Sequence, residues 1–265
     1  MTSRTQRFVG AFFLVLALAW LSWMRGFFSS GSSQSAVTHD ILHVGTNVGY
    51  PPFIMTDEYG NPIGFDYAVA SEIARRLGKK LELHDMSFGA LVIALQKKKV
   101  AMIIGGISLT PAKKASGLFL PYYGDVVKKV AVFAKRDTPQ VSSLSQLSQK
   151  GLRVCTQAGT TFSEVLEKDA NLSLRILPNI SDLVLEVLYG RSDIGILDPD
   201  SVRSLVSRND AFVMYEVALD PRDYIDGFGI GVQDDDEREQ IGKILDQMKE
   251  DGTLQRLQTQ WFSSY

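Results

Sequence analysis

Ile41-Leu42-His43-Val44-Gly45-Thr46-Asn47-Val48-Gly49-Tyr50-Pro51-Pro52-Phe53 opens the part of the chain that folds. Residues 41–45 form a short apolar run, read as a strand, that breaks into a turn rich in glycine and proline. Next, residues 66–77 place Val69, Ile73 and Leu77 on one helical face, and Gly78 stops the helix as a C-cap glycine would. Residues 81–86 read as a strand, 88–98 as a helix and 100–104 as a buried strand ending in Gly105-Gly106. After a strand at 130–134, Lys135-Arg136-Asp137-Thr138-Pro139 is where the chain is expected to cross to a second half. The pattern then restarts with helices at 144–149, 160–168 and 181–189 and strands at 152–156, 174–177 and 194–197. Strands at 212–217 and 228–232 precede a final amphipathic helix that aligns Ile241, Leu245 and Met248. Strand–helix alternation run through twice predicts α/β layers with largely parallel strands, in two lobes. The expected division is 37–134 plus 219–265 for lobe 1 and 135–218 for lobe 2. The last helix has no strands of its own and is expected to pack on lobe 1.

Totals narrow the function. A chain of 265 residues has room for one or two domains. With 45% hydrophobic and 22% charged residues it is neither a disordered tail, a collagen nor a disulfide scaffold. A net charge of −2 argues against a nucleic-acid partner, which calls for a basic face. The lone Cys155 excludes an internal disulfide and a cysteine-based zinc site. His39, His43 and His84 show no metal-ligand spacing, so no metal and no cofactor are expected. Cys155 falls in a buried strand, where it reads as a small apolar residue. Asp234-Asp235-Asp236-Glu237 reads as a solvated helix start, favourable for the helix dipole.

The first 36 residues are different material. Arg4 and Arg7 precede an uncharged run over 8–24, then Arg25 and a short, small, polar stretch over 29–35. That is the pattern of an export signal. Two fates stand open: cleavage near Ala36, or retention as an inner-membrane anchor, since seventeen apolar residues lie near the lower limit for spanning a bilayer. In either case the rest of the chain is expected in the periplasm, with the arginines on the cytoplasmic side. That remainder holds 25 basic and 30 acidic residues, a mildly acidic body that suits neither DNA nor a membrane surface.

Three segments carry the chemistry. The first runs Gly45 to Phe53 and continues at Gly64-Phe65-Asp66; the second is Gly105-Gly106-Ile107-Ser108-Leu109-Thr110-Pro111. The third is Gln157-Ala158-Gly159-Thr160-Thr161, with Asp193-Ile194-Gly195-Ile196-Leu197-Asp198. Each follows a strand or starts a helix, the edge at which open α/β sheets bind ligands. In this order and spacing, with Asp251-Gly252-Thr253 and Trp261-Phe262 closing the chain, they resemble the polar amino-acid family of extracytoplasmic binding proteins of bacterial ABC transporters. The resemblance implies two lobes joined by two crossing strands, closing on a polar amino acid, arginine or glutamine favoured. It further implies a monomer that delivers its ligand to an inner-membrane permease and catalyses nothing.

Residue by residue, the resemblance makes Asp198 the partner of the ligand's α-ammonium group, with Ser108 and the Gly106 carbonyl beside it. A second reading makes Asp198 the N-cap of the helix that follows, and both roles can hold together. Thr160 and Thr161 would receive the α-carboxylate at a helix start, or serve as an ordinary cap. Tyr50 and Phe65 match the pair of rings packed on the ligand's side chain; alternatively they are core rings. Lys113 stands where the family places a carboxylate-gripping arginine, keeping the charge but losing the fork. Neutral Asn47 stands where several members have an aspartate, which leaves Asp57, Glu58 or Asp125 to meet a cationic side chain. Phe119-Leu120-Pro121-Tyr122-Tyr123 has leucine where serine is common. Two other functions remain: an anchored amino-acid sensor or docking module, and a dehydratase on the same fold. The latter needs a positioned general acid, and beyond Asp198 the three segments hold no histidine or carboxylate pair that would serve.

Overall fold

The computed structural model describes residues 40–263. The expected export segment and its two fates lie outside the described residues. Chain order is β1 (Ile41–Thr46), β2 (Met55–Thr56), β3 (Pro62–Ile63), α1 (Phe65–Arg76), β4 (Lys80–Asp85), α2 (Leu91–Gln96), β5 (Met102–Ile103), α3 (Pro111–Ala115) and β6 (Phe119–Tyr123). It continues with β7 (Lys129–Lys135), α4 (Ser145–Gln149), β8 (Arg153–Gln157), α5 (Thr161–Leu166), β9 (Ser173–Leu177), α6 (Ile180–Leu188), β10 (Ile194–Leu197), α7 (Pro199–Ser207) and β11 (Phe212–Ala218). Last come β12 (Phe228–Val232), α8 (Asp235–Glu250) and α9 (Thr253–Phe262).

Two five-stranded sheets result, β4-β1-β5-β12-β6 and β11-β7-β10-β8-β9. In the first, β1 runs parallel to β4 and β5, while β12 is antiparallel to β5 and β6. In the second, β8 is parallel to β9 and β10, while β7 is antiparallel to β10 and β11. The sheets are therefore mixed, each with a parallel half and an antiparallel half. Those antiparallel strands are the ones flanking the crossings.

The chain passes between the sheets at 124–128 and returns at 219–227. There Val127 and Ile225 exchange backbone hydrogen bonds, Val127 N–H donating to Ile225 O at 2.7 Å and Ile225 N–H to Val127 O at 3.2 Å. The crossing expected at Lys135–Pro139 is thus corrected: that stretch is a turn after β7, with Thr138 N–H donating to Lys135 O. The reason lies in β7, whose Val130–Ala134 run is buried and pairs on one edge with β10 and on the other with β11. The chain has entered the second sheet before Lys129, and Leu219 and Ile225 still pack in that sheet's apolar cluster. Residues 129–134 and 219–225, assigned to lobe 1 from the sequence, therefore sit with the second sheet.

Alternation orients the strands. Leu42 and Val44 of β1 pack in one buried cluster with Val69, Ala70 and Ile73 of α1. Gly45, on the other face, looks toward Leu91, Val100 and Ile103. Ile241, Ile244, Leu245 and Met248 bury one stripe of α8 in the same cluster as α1, and α9 packs against α1. Residues 235–262 thus return to the first sheet as expected. Asp234 caps α8 by accepting from Glu237 N–H, while Glu237 accepts from Gln233 N–H, so the acidic run is a helix start. Cys155 is fully buried, and burial pushes its thiol up to about 12, as fits a core residue.

Candidate functional site

The three segments meet where the two sheets face each other. Tyr50 lies in the turn after β1, its ring stacked on Phe53 with centroids 4.9 Å apart. Its hydroxyl donates to Asp198 Oδ2, at the end of β10 in the other sheet. Asp198 is 2% exposed, and its other oxygen accepts from Ser201 N–H at 2.9 Å, capping α7. The cap read from the sequence is therefore present, and the same carboxylate lies buried at the sheet edge. Burial raises its pKa, opposed by the Tyr50 hydroxyl and the Ser201 N–H. Burial, with the Asp198 charge beside it, also raises the Tyr50 phenol well above its usual value.

Gly106 makes room for this contact. Its φ is +65°, and a Cβ there would lie 2.3 Å from Tyr50 Cε1. The Gly106 N–H donates to Asp66 Oδ2 at 3.2 Å, and Tyr122 Oη donates to Asp66 Oδ1 at 2.6 Å. Asp66 is fully buried, and burial pushes its carboxyl up to about 7 against those two donors. It positions the glycine loop, a role the sequence reading missed although it quoted the residue.

Asn47 Nδ2 donates to Met86 O at 2.9 Å, and its Oδ1 accepts from Gln157 Nε2 at 2.8 Å. Asn47 therefore faces the second sheet, and Gln157 at the end of β8 is a further cleft residue that was quoted but not selected. A third bridge links the sheets, Tyr123 Oη donating to Asp200 Oδ2 at 2.8 Å. Phe88 and Gly89 lie against Gly159, where a Cβ would come within 2.9 Å of Gly89 Cα. They too belong to this cleft; nothing in their local sequence sets them apart from a helix start.

The remaining residues singled out from the sequence take the following places. Phe65 is fully buried, its ring among Phe53, Tyr122, Tyr123 and Phe262, so it is a core ring, and Phe53 is the partner of Tyr50. Thr160 caps α5, its hydroxyl accepting from Ser163 N–H and donating to Gln157 O, while Thr161 starts the helix. Lys113 Nζ donates to the Ser108 carbonyl at 3.0 Å and lies 5.9 Å from the Phe119 ring centroid. Burial lowers its pKa, and the Glu164 carboxylate across the cleft partly restores it. Ser108 is buried and bridged to Phe228. Asp57 spends its carboxylate within its own turn, accepting from Tyr59, Asn61 and the Asn61 amide. Asp125 instead lines a cavity of about 490 Å³ at the crossings, bounded also by Asp198, Asp200, Gly227 and Phe228. His43 and His84, which show no metal-ligand spacing along the sequence, are brought together with Glu82 by the pairing of β1 with β4.

This geometry, two α/β sheets facing across a polar cleft and joined by two crossings, is that of the two-lobed periplasmic-binding-protein fold. The chain belongs to the bacterial extracellular solute-binding proteins, family 3, whose pattern matches residues 42–264. It is 29% identical over 220 residues to a probable ABC transporter arginine-binding protein, ArtJ, of Chlamydia trachomatis serovar D, covering 82% of this chain and 84% of the relative. It is 28% identical over 254 residues to the arginine-binding extracellular protein ArtP of Bacillus subtilis, covering 94% and 97%. Among solved structures, a mutant of ArgBP from T. maritima superposes with TM-score 0.75 at 32% identity, covering 84% of this chain and 95% of that one. Ancestral arginine-binding proteins, one bound to arginine and one to glutamine, also give TM-scores of 0.75, at 30% and 31% identity; each covers 84% of this chain, and 99% and 98% of their own. Among the described residues no helix is long and apolar enough to cross a membrane.

Proposed function

We propose that this chain captures a polar amino acid, arginine before glutamine, in the periplasm and hands it to an ABC permease in the inner membrane. It acts as a monomer and a binder rather than an enzyme, its N-terminal segment serving as export signal or anchor. Sheet one and sheet two act as lobes that close on the ligand. The observation that carries this reading is Asp198, a buried carboxylate at one sheet's edge already touched by Tyr50 from the other. An α-ammonium group is a stronger partner for it than a neutral phenol, because it brings a full opposite charge to the hydrogen bond. Ser108 and the Gly106 carbonyl complete the ammonium end. Lys113, with the start of α5 at Thr160 and Thr161, meets the carboxylate, and the stacked Tyr50 and Asn47 line the side-chain end. Support comes from the names of the relatives and from neighbours solved with arginine and glutamine.

Calorimetry with arginine, glutamine and the other common amino acids tests this. The native chain is expected to bind arginine, and Asp198→Ala to lose binding by at least about a hundredfold, the scale of an unpaired buried charge. Unchanged affinity in the variant removes the site assignment. Turnover of prephenate or arogenate would replace the binder with the dehydratase.

A further inference from the structure

His43, Glu82 and His84 form a cluster that shares no residue with the amino-acid cleft. Parallel pairing of β1 with β4 sets His43 opposite Glu82 and Gly45 opposite His84. Side chains two apart on a strand share a face, so all three project from the same side. Leu42 and Val44, and Leu81 and Leu83 on β4, take the other side and pack with the core that contains α1.

Two of the three donor-atom distances match those of a coordination sphere. His43 Nδ1 lies 2.9 Å from His84 Nε2 and 3.5 Å from Glu82 Oε1, and His84 Nε2 lies 3.4 Å from the same oxygen. A tetrahedral ion with bonds of about 2.0–2.2 Å to nitrogen and oxygen separates its ligands by about 3.3 Å. A hydrogen bond between the rings would account for the shortest distance. It leaves the carboxylate oxygen beyond good hydrogen-bond range of both nitrogens. One cation in the middle satisfies all three lone pairs together. The side chains are 43%, 49% and 36% exposed in the order His43, Glu82, His84, so the fourth apex is open to water or an incoming ligand.

We infer that this face binds a divalent transition ion of borderline character, zinc foremost, through His43, Glu82 and His84. Two imidazoles among three donors select against calcium and magnesium, which take oxygen. The ion would clamp β4, an edge strand of the first sheet, to β1. Because the ligands come together only in the folded sheet, binding stabilises the fold by mass action. A spacing of 41 residues between the histidines hides the site from any local motif.

The test uses the full chain stripped with a chelator and titrated with zinc by calorimetry, then with cobalt by visible absorption. One zinc per chain is expected, with the intense visible bands of tetrahedral cobalt and a rise in unfolding temperature on adding zinc. His84→Ala and His43→Ala should each weaken zinc by at least about tenfold, since losing even an outer partner of a ligating histidine does that much. Both should also abolish the thermal rise, with circular dichroism unchanged. Glu82→Gln should keep the fold and lose the cobalt bands. The inference is overturned if the native chain takes up no stoichiometric zinc. It is equally overturned if the double histidine variant binds zinc as the native chain does, which would mean an adventitious ion elsewhere.

Discussion

Asp198 has two occupants in prospect and one in place, and the competition can be measured. Tyr50 donates to it now, so the ammonium group proposed for this site would have to displace or share that hydroxyl. Tyr50→Phe keeps the ring on Phe53 but leaves Asp198 only the Ser201 N–H. A hydrogen bond to a charged group is worth about 1.5–3 kcal/mol net. Freeing Asp198 for an ammonium and loosening the contact between the sheets act in opposite directions on binding, whereas both lower the stability of the ligand-free chain, so the variant is expected to melt lower without ligand, read by thermal unfolding. Asp66 makes a separate prediction through pH. Its pKa rises from 3.8 to about 7 on burial, so between those values the folded chain holds a proton that the unfolded chain has released. Stability then falls as pH rises through that window and levels off above it, a loss of up to about 4 kcal/mol. Asp66→Asn should flatten this slope, and urea midpoints at about pH 4 and pH 8 would show it. At this scale the sequence indicated residue type better than direction. Tyr50 and Asp198 were legible from their motifs, whereas Phe65 and Phe53 are both rings beside glycine or proline, and only the packing decides which one meets Tyr50.

The glycine loop after β5 is the element on which the site turns. Gly106 combines a left-handed φ of +65° with a ring 2.3 Å from where a Cβ would sit. Gly106→Ala must strain the backbone and push Tyr50 off Asp198 at once. The expected result is lost amino-acid binding with about 1–3 kcal/mol of destabilisation, measured by calorimetry and denaturant unfolding. The crossings carry a similar constraint. At Gly227, with φ +74°, a Cβ would lie 2.6 Å from the carbonyl oxygens of Tyr123 and Gly124, so the two crossing segments lie backbone to backbone. Periodicity made the helices and most strands legible, because one buried face leaves a local mark on the sequence. It could not place β7, since a run of apolar residues says that a strand is buried without saying in which sheet. It also missed β6, which contains Pro121; β6 lies at the edge of its sheet, and an edge position tolerates a residue with no N–H to give.

Among the described residues, three oxygen-accepted side-chain hydrogen bonds span the two sheets, Tyr50 to Asp198, Gln157 to Asn47 and Tyr123 to Asp200, and Arg208 adds a weaker bond to the Met55 sulfur. They hold a closed arrangement that a ligand would otherwise have to bring about. Closure driven by a ligand requires that the ligand bind the closed form better than the open one. Bonds that already favour the closed form lower the free energy the ligand must supply and narrow the change it causes. Tyr123→Phe combined with Gln157→Ala removes two of the three while leaving Asp198, Tyr50 and Lys113 intact. At about 1 kcal/mol each, their loss shifts the open-to-closed ratio by about thirtyfold toward open. Small-angle scattering without ligand should then give the double variant a larger radius of gyration than the native chain, and saturating arginine should return it to the native value. If the radius is unchanged without ligand, the crossings and the remaining Tyr50–Asp198 bond suffice to hold the sheets together. If it grows and arginine does not reverse it, the two sheets do not close on arginine as proposed.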